Sequence, residues 1–357
     1  MQISDFQQDV PLHNCTTIRL GGKAKYFVSC TNVAQLVEIL QTAYSANLRV
    51  HILGGGSNTL FSDDGFDGLV IKINFKGISF TENGANILAT VQAGEVWDEF
   101  VATCIERGFA GVECLSGIPG SVGATPIQNV GAYGQEVKDT IISVATIERD
   151  TLTEKIFTNA ECSFAYRESR FKLDDKDRYI VTAVTFRLQK NGTPTIHYPE
   201  LKKYIESHAS LHSLANGTPK LRAVRDSVLS LRRKKSMVVD STDPHSCSVG
   251  SFFLNPIVSN GAYTSLKTKW KEAGHEHTIP TFAAQNGIKI PAAWLIEQAG
   301  FFKGYREGGV GISGNHTLAL VNYSGTTNEL LALAKEIQES VFQKFSIRLS
   351  LEPIIVE

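Results

Sequence analysis

Two glycine-rich segments hold most of the chemistry that the residue types of this chain could perform. Gly54-Gly55-Gly56-Ser57-Asn58 comes directly after the apolar run Leu48-Arg-Val-His-Ile-Leu53, and a longer segment runs Gly117-Ile-Pro-Gly120-Ser121-Val-Gly123-Ala-Thr-Pro-Ile-Gln128-Asn129-Val-Gly-Ala-Tyr-Gly134. Without side chains the backbone can turn sharply and approach a ligand closely. Successive N–H groups then form a nest that holds a pyrophosphate without any cation. One such cluster is a plain turn more often than a phosphate cradle. Two of them, with Ser57, Asn58, Ser121, Gln128 and Asn129 adding hydrogen-bonding side chains, favour phosphate and ring-edge contacts to one dinucleotide held from opposite sides.

The elements around these segments limit what they can be. Thr31-Asn32 caps a helix whose apolar positions are Val33, Leu36, Val37, Ile39 and Leu40, and a strand over Leu48–Leu53 leads into the first glycines. Beyond those glycines the chain enters the turn Asp63-Asp-Gly-Phe-Asp-Gly68 and the strand Leu69-Val-Ile-Lys-Ile73, so they do not open a helix. That removes the Gly-x-Gly-x-x-Gly dinucleotide fold, and the missing Gly-Lys-Ser/Thr removes the P-loop. A helix is expected over Trp97–Arg107 with Val96, Phe100, Val101, Cys104 and Ile105 inward, and strands over Ile87–Ala93, Ile141–Ile147 and Tyr179–Leu188 have an antiparallel look. Further helices are expected over 221–231, 292–298 and 328–345, with a terminal strand over 347–356 and a domain boundary near residue 220.

Composition excludes other classes. Of 357 residues, 35 are Lys or Arg and 36 Asp or Glu, a net charge of −1 that argues against a general nucleic-acid binder. With 42% apolar and 20% charged residues the chain reads as a folded protein with two or three cores. The N-terminus lacks the basic and apolar regions of a signal peptide, and no apolar run approaches the roughly 18 residues needed to span a bilayer. Six cysteines without a Cys-x-x-Cys pair point to reduced thiols in the cytosol, and nine histidines without metal-ligand spacing point to no catalytic metal.

The ordered motifs His13-Asn14, Thr17-x-Arg19-Leu-Gly-Gly22, Ile52-Leu-Gly-Gly-Gly-Ser-Asn58, Gly117 to Ala124, Gln128 to Gly134, Tyr166-Arg-Glu-Ser-Arg-Phe-Lys172, Gly250-Ser-Phe-Phe253 and Leu351-Glu-Pro353 cover nearly the whole chain. Together they resemble the UDP-N-acetylenolpyruvoylglucosamine reductase (MurB) family, in its longer, type I branch. The resemblance implies an α+β architecture. Two subdomains, 1–75 (completed by a C-terminal strand, 346–357) and 76–220, would form an FAD-binding fold of the vanillyl-alcohol-oxidase (PCMH) type. Residues 221–345 would form an α/β substrate-binding domain. It also implies an enzyme of peptidoglycan precursor synthesis, cytoplasmic and monomeric, with NADPH as co-substrate and UDP-N-acetylmuramate as product.

In that family, hydride added to the vinyl carbon of an enolpyruvyl ether leaves negative charge on the adjacent carbon and carboxylate. Such a site needs cationic or hydrogen-bonding stabilisation and a proton donor. By resemblance Arg167 is the active-site arginine, Ser251 the proton donor and Glu352 the third catalytic residue, which would be protonated or hydrogen-bonded to avoid repelling the substrate carboxylate. Gly54, Gly55, Gly56, Ser57, Asn58, Gly117, Gly120, Ser121, Gly123, Gln128 and Asn129 would hold FAD. Gly54 to Asn58 offers no histidine or cysteine, so that attachment would be non-covalent. Tyr198, in Thr195-Ile-His-Tyr-Pro-Glu-Leu201, would contact the substrate from a loop. Arg232 and Lys235 fall at the family's Arg-x-x-Lys pair, and Asn255 and Lys289 at substrate-side positions.

Three positions depart from the family pattern: Leu254 stands where a lysine is usual, Ser236-Met237 where a Leu/Phe-Pro follows, and Phe282 where a tyrosine is expected, the first and last removing polar contacts to the diphosphate. Two alternatives remain open at this point, another FAD-dependent sugar or lactone oxidoreductase of the same fold and a nucleotide-sugar binding protein without catalysis.

Overall fold

In the computed structural model, which describes residues 1–208, 211–284 and 286–357, the main chain forms two units. The first comprises Met1–Pro11, Lys23–Gly56 and Phe66–Val238, and the second Leu12–Gly22, Ser57–Gly65 and Val239–Glu357.

Beside a two-stranded pair of Gly131–Ala132 with Gln135–Glu136, two large sheets dominate the first unit. In one, strands Gln7–Pro11, Lys23–Cys30, Phe66–Ile73 and Val50–Leu53 lie in that order, with Phe66–Ile73 parallel to both of its neighbours. A strand between two parallel neighbours is covered on both faces, and Leu69, Val70 and Ile71 form the unbroken apolar run that this requires. Helix α1, Val33–Ser45, starts where expected. The Asn32 side chain accepts from the Gln35 N–H at 2.9 Å, and Leu36, Ile39, Leu40 and Ala43 are buried at helical spacing. The strand Val50–Leu53 ends in the first glycine segment, which is succeeded by a strand, not a helix.

The second sheet is antiparallel, in the order Glu154–Thr158, Ile141–Glu148, Tyr179–Lys190, Asn86–Gln92 and Ile78–Asn83, with Phe109–Ala110 paired to the end of Tyr179–Lys190. Helix α2, Trp97–Glu106, packs its buried Trp97 and Phe100 against Phe186 of the central strand, at ring-centroid distances of 5.9 and 5.1 Å. Truncating an aromatic side chain in such a core typically costs about 3–5 kcal/mol. Val96, expected to face inward, is instead 40% exposed, because as the N-cap it lies in extended backbone ahead of the helix. Helices α3, Pro199–His208, and α4, Thr218–Lys234, bury Leu201 and Ile205 with Val224, Val228, Leu231 and Cys114 in a separate small core. The chain leaves this unit after Val238, beyond α4, rather than near residue 220.

The second unit packs helices α5, Asn260–Glu272, α6, Ala292–Gln298, and α7, Thr327–Phe345, with three small sheets around Phe252, Phe253, Leu295, Ile296, Leu330, Ile337 and Val341. Thr326 and Glu329 form a reciprocal cap on α7, and the Asp63 carboxylate accepts from the N–H groups of Thr327 (2.8 Å) and Asn328 (2.9 Å). A negative charge at a helix N-terminus is favourable there. The C-terminal strand is only Ile354–Val356, parallel to Thr59–Phe61, and so shorter than the run expected over 347–356. Ile347 and Leu349 are instead buried in the helical core.

No helix among the described residues is long and apolar enough to cross a membrane, and none of the six cysteines forms a disulfide. Burial pushes the Cys104 and Cys114 thiols well above the ordinary range, which makes them inert packing groups.

Burial also lowers His51 from 6.5 to about 4, against the pull of Asp177 and with help from Arg149. The unfolded imidazole therefore takes up its proton near pH 6.5 while the folded one stays neutral to about pH 4. Its contribution to stability is complete above pH 6.5 and is lost as the pH falls towards 4, by as much as about 3 kcal/mol. Urea unfolding across this range is expected to show a smaller acid loss in His51→Gln than in the parent protein. Identical profiles would show that His51 contributes nothing to it.

Candidate functional site

The two glycine segments meet within the first unit, main chain against main chain. A Cβ on Gly55 would lie 2.5 Å from Gly120 Cα and 2.8 Å from its carbonyl carbon, and one on Gly54 would lie 2.6 Å from Ser121 Oγ. Gly117 and Gly120 also have φ of +72° and +121°, in the region that favours glycine. The sequence therefore needs glycine here both for close approach and for backbone sign.

Not every expected nest donor is available. The Gly117 N–H donates to Asp98 at 2.6 Å and the Gly123 N–H to the Ala93 carbonyl at 2.9 Å, so both glycines shape the loop with their N–H groups already engaged. A Cβ on Gly123 would meet that of Ala93 at 2.5 Å. Asn129 is fully buried. Its amide donates to Ala165 O (2.8 Å) and Glu136 (3.0 Å), and its carbonyl accepts from Lys138 N–H (3.2 Å). Its side chain braces the segment from inside rather than presenting the ring-edge contact expected of it. Gly54, Gly55, Gly56, Gly120 and Ser121 form the remaining cradle of this unit, with Gln128 half-buried beside Asn129.

Ser57 and Asn58 belong to the second unit. There the Asn58 amide donates to Glu352 O at 3.2 Å and its own main-chain carbonyl accepts from Ile354 N–H at 2.9 Å, so Asn58 fixes the main chain that carries Glu352.

Charge gathers next to the second glycine segment. The Arg167 guanidinium donates to Gly131 O at 2.7 Å, and Arg167 itself has a left-handed φ of +57°, a strain often found at functional positions. Arg232 donates from Nη2 to Met237 O at 2.6 Å, while its Nε is shielded from solvent and has no hydrogen-bond partner among the described residues. Burial lowers Arg232 to about 10 despite Tyr133 and Asp98, and the positive charge of Arg167 adds to the effect. A shielded, unsatisfied Nε and the added positive charge of Arg167 leave a donor and a positive potential here that an anion would satisfy.

Lys235 donates to Glu200 at 2.6 Å and stands 5.8 Å from the Tyr133 ring centroid. Tyr198 meets Tyr133 edge to face at 5.6 Å, and burial raises Tyr133 to about 12. The structure thus brings Arg167, Arg232, Lys235 and Tyr198 of the expected set together with Tyr133, which the sequence pattern does not single out.

Two further residues escape the sequence pattern. Asp98, in the first turn of α2, accepts from Gly117 N–H and from both Arg225 Nη atoms, at 2.5 and 2.7 Å. Arg225 precedes Arg232 by two helical turns on one face of α4, so Asp98 joins the second glycine segment to the helix that carries Arg232 and ends at Lys235. Burial raises the Asp98 carboxyl, but the Arg225 and Gly117 hydrogen bonds outweigh it and hold the group below its ordinary range. Glu113, 1% exposed, accepts from Gly111 N–H (2.7 Å), Gln135 Nε2 (3.1 Å) and Thr195 N–H (3.3 Å), which ties the start of the Tyr198 segment to the end of the second glycine segment. Local pattern carries no signal for either, since Arg225 lies far from Asp98 in the chain, and Gln135 and Thr195 far from Glu113.

In the second unit, Glu352 N–H donates to Phe252 O at 3.0 Å and Leu254 N–H to Ser350 O at 2.9 Å, so Ser251 and Glu352 lie on adjacent main-chain segments anchored by the buried Phe252 and Phe253. Asn255 Oδ1 accepts from Ala292 N–H at 2.8 Å and so starts α6. Lys289 Nζ stands 5.9 Å from the centroid of the half-exposed Phe282, on paired strands.

A glycine-floored cradle on paired parallel and antiparallel sheets defines a protein of the FAD-binding class. Residues 24–154 match the FAD binding domain family, and residues 243–356 match the C-terminal domain of UDP-N-acetylenolpyruvoylglucosamine reductase. The chain is 44% identical to the UDP-N-acetylenolpyruvoylglucosamine reductase of Thermobifida fusca, over 99% of this chain and 98% of that protein, and 39% identical to that of Flavobacterium johnsoniae, over 99% and 100%. It shares the fold of the Thermus caldophilus enzyme of the same name, with a TM-score of 0.66 at 21% identity over 99% of this chain and 100% of that one. The chain belongs to the UDP-N-acetylenolpyruvoylglucosamine reductase family.

Removing the charge of Asp98 leaves the partly buried Arg225 without its partner. Asp98→Asn is expected to lower stability by about 2–3 kcal/mol. Chemical denaturation at neutral pH measures this, and an unchanged midpoint would show that the pair holds nothing.

Proposed function

We propose that this chain is a flavoenzyme that uses NADPH to reduce UDP-N-acetylenolpyruvoylglucosamine to UDP-N-acetylmuramate, supplying peptidoglycan precursors as a cytoplasmic monomer. The observation that carries the cofactor reading is the contact of Gly54 and Gly55 with Gly120 and Ser121, where any Cβ would push the two bare segments apart. These residues fit FAD, with Gly54, Gly55, Gly56, Gly120 and Ser121 offering main-chain donors and Ser57 and Gln128 polar side chains. When bound, FAD supplies a hydride donor that NADPH recharges.

The remaining roles belong to the chain. Arg167, positioned by Gly131 O, pairs with the substrate carboxylate as negative charge spreads onto it. Ser251 gives its hydroxyl proton to the carbon next to the reduced one. A hydroxyl is a weak acid, but the carbanion-like centre is a far stronger base, so the transfer is downhill. Glu352, protonated or hydrogen-bonded, stabilises the enolate without repelling the carboxylate. Tyr198, Arg232 and Lys235 receive the diphosphate, and Lys289 adds a cation. Asn255 acts by fixing the start of α6. Leu254 and Phe282 remove polar contacts to the diphosphate but leave the redox chemistry intact. A sugar or lactone oxidase of the same FAD fold would give Ser251 and Glu352 no task.

The test is anaerobic. NADPH is expected to bleach the yellow protein, and UDP-N-acetylenolpyruvoylglucosamine to restore its colour. In Ser251→Ala and Glu352→Gln the single-turnover recovery is expected to slow by about 10²-fold or more. Unchanged recovery rates would remove both assignments, and protein that NADPH cannot bleach would remove the reductase reading.

A further inference from the structure

The two cations assigned to the diphosphate are not equivalent. Arg232 keeps an open, shielded Nε, whereas the Lys235 ammonium is already compensated by the Glu200 carboxylate at 2.6 Å. The lysine and glutamate side chains are 31% and 40% exposed, so an incoming anion can reach the pair. Glu200 lies in the first turn of α3, two residues after Tyr198, and Tyr198 rests edge-on against Tyr133, over whose ring Lys235 extends. One carboxylate therefore links the cation, the tyrosine segment and the N-terminus of a helix.

We propose that Glu200 is a specificity-determining residue, an internal counter-ion that holds Lys235 until a diphosphate displaces it. The proposal rests on the reading of Arg232 and Lys235 as the diphosphate's cations. A small anion that meets Lys235 alone replaces one negative charge with another and gains little, because Glu200 is tethered beside the ammonium at high effective concentration. A diphosphate spans more charge. It takes Lys235 and at the same time satisfies the Arg232 donor that Glu200 leaves unmade, so it gains more than it displaces. The displaced carboxylate remains in the first turn of α3, where the helix dipole favours it, which keeps the cost of release low.

The experiment is titration of the oxidised holoenzyme with UDP and with inorganic phosphate, monitored by calorimetry, for the parent protein, Glu200→Gln, Glu200→Asp, Lys235→Gln and the Glu200→Gln/Lys235→Gln double variant. Glu200→Gln is expected to bind UDP about three- to tenfold more tightly, to admit inorganic phosphate as a competitor, and to lower KM for the substrate without raising kcat. Glu200→Asp, with its shorter reach, falls between parent and Gln and gives the same reading should the Gln variant fold poorly. Lys235→Gln weakens UDP binding, and adding Glu200→Gln to it changes nothing further. If Lys235→Gln weakens UDP while neither Glu200 variant tightens it, the counter-ion proposal is overturned and the diphosphate reading stands. If Lys235→Gln leaves UDP binding unchanged, the reading of Lys235 fails and takes the proposal with it.

Discussion

The first unit depends on a place where two stretches of main chain touch with no side chain between them. Gly54 and Gly55 approach Gly120 and Ser121 so closely that a single methyl group on either glycine would overlap its neighbour. Protein interiors have little room to yield to such an overlap. The parallel strand Val50–Leu53 delivers the first segment, and the packing of α2 against the antiparallel sheet delivers the second, through Trp97 N–H on Gly120 O and Val122 N–H on Glu95 O. The sheets are thus the means by which two backbone turns, distant in sequence, become one cradle.

Charge is arranged around that floor by burial and by helix geometry. Asp98 holds Gly117 and Arg225, and two turns further along α4 the same face presents Arg232 beside Arg167. The positive charge of Arg167 acts against that of the buried Arg232, and an anion would relieve this repulsion. On the proposed reading these guanidiniums receive the diphosphate, and Glu200, paired with Lys235, modulates the neighbouring cation. In the second unit the corresponding device is backbone pairing, where Asn58 and Phe252 fix the segment of Glu352.

Local signals are legible wherever the cause is local. Asn32 and the spacing of Leu36, Ile39 and Leu40 mark α1, and the run Leu69 to Ile73 marks the covered strand. The glycine segments are recognisable as close-approach turns because nothing else requires so many bare positions. Features with long-range causes escape. Asp98 resembles any acidic residue in a first helical turn until Arg225 is placed beside it, and Glu113 resembles a surface glutamate until Gln135 and Thr195 from distant segments donate to it. The polar motif around Asn129 suggests an outward-facing side chain, yet its three hydrogen bonds turn it inward. The terminal run 347–356 suggests one strand, while only Ile354–Val356 pairs and the buried Ile347 and Leu349 serve the helical core.

The most direct measurement is the FAD affinity of deflavinated Gly55→Ala, set beside Gly261→Ala, whose added methyl meets nothing within 4 Å. If close approach of bare main chain makes the cradle, Gly55→Ala folds with unchanged secondary structure but loses at least about tenfold in FAD affinity, while Gly261→Ala rebinds FAD as the parent does. A Gly55→Ala protein that binds FAD as tightly as the parent would contradict it.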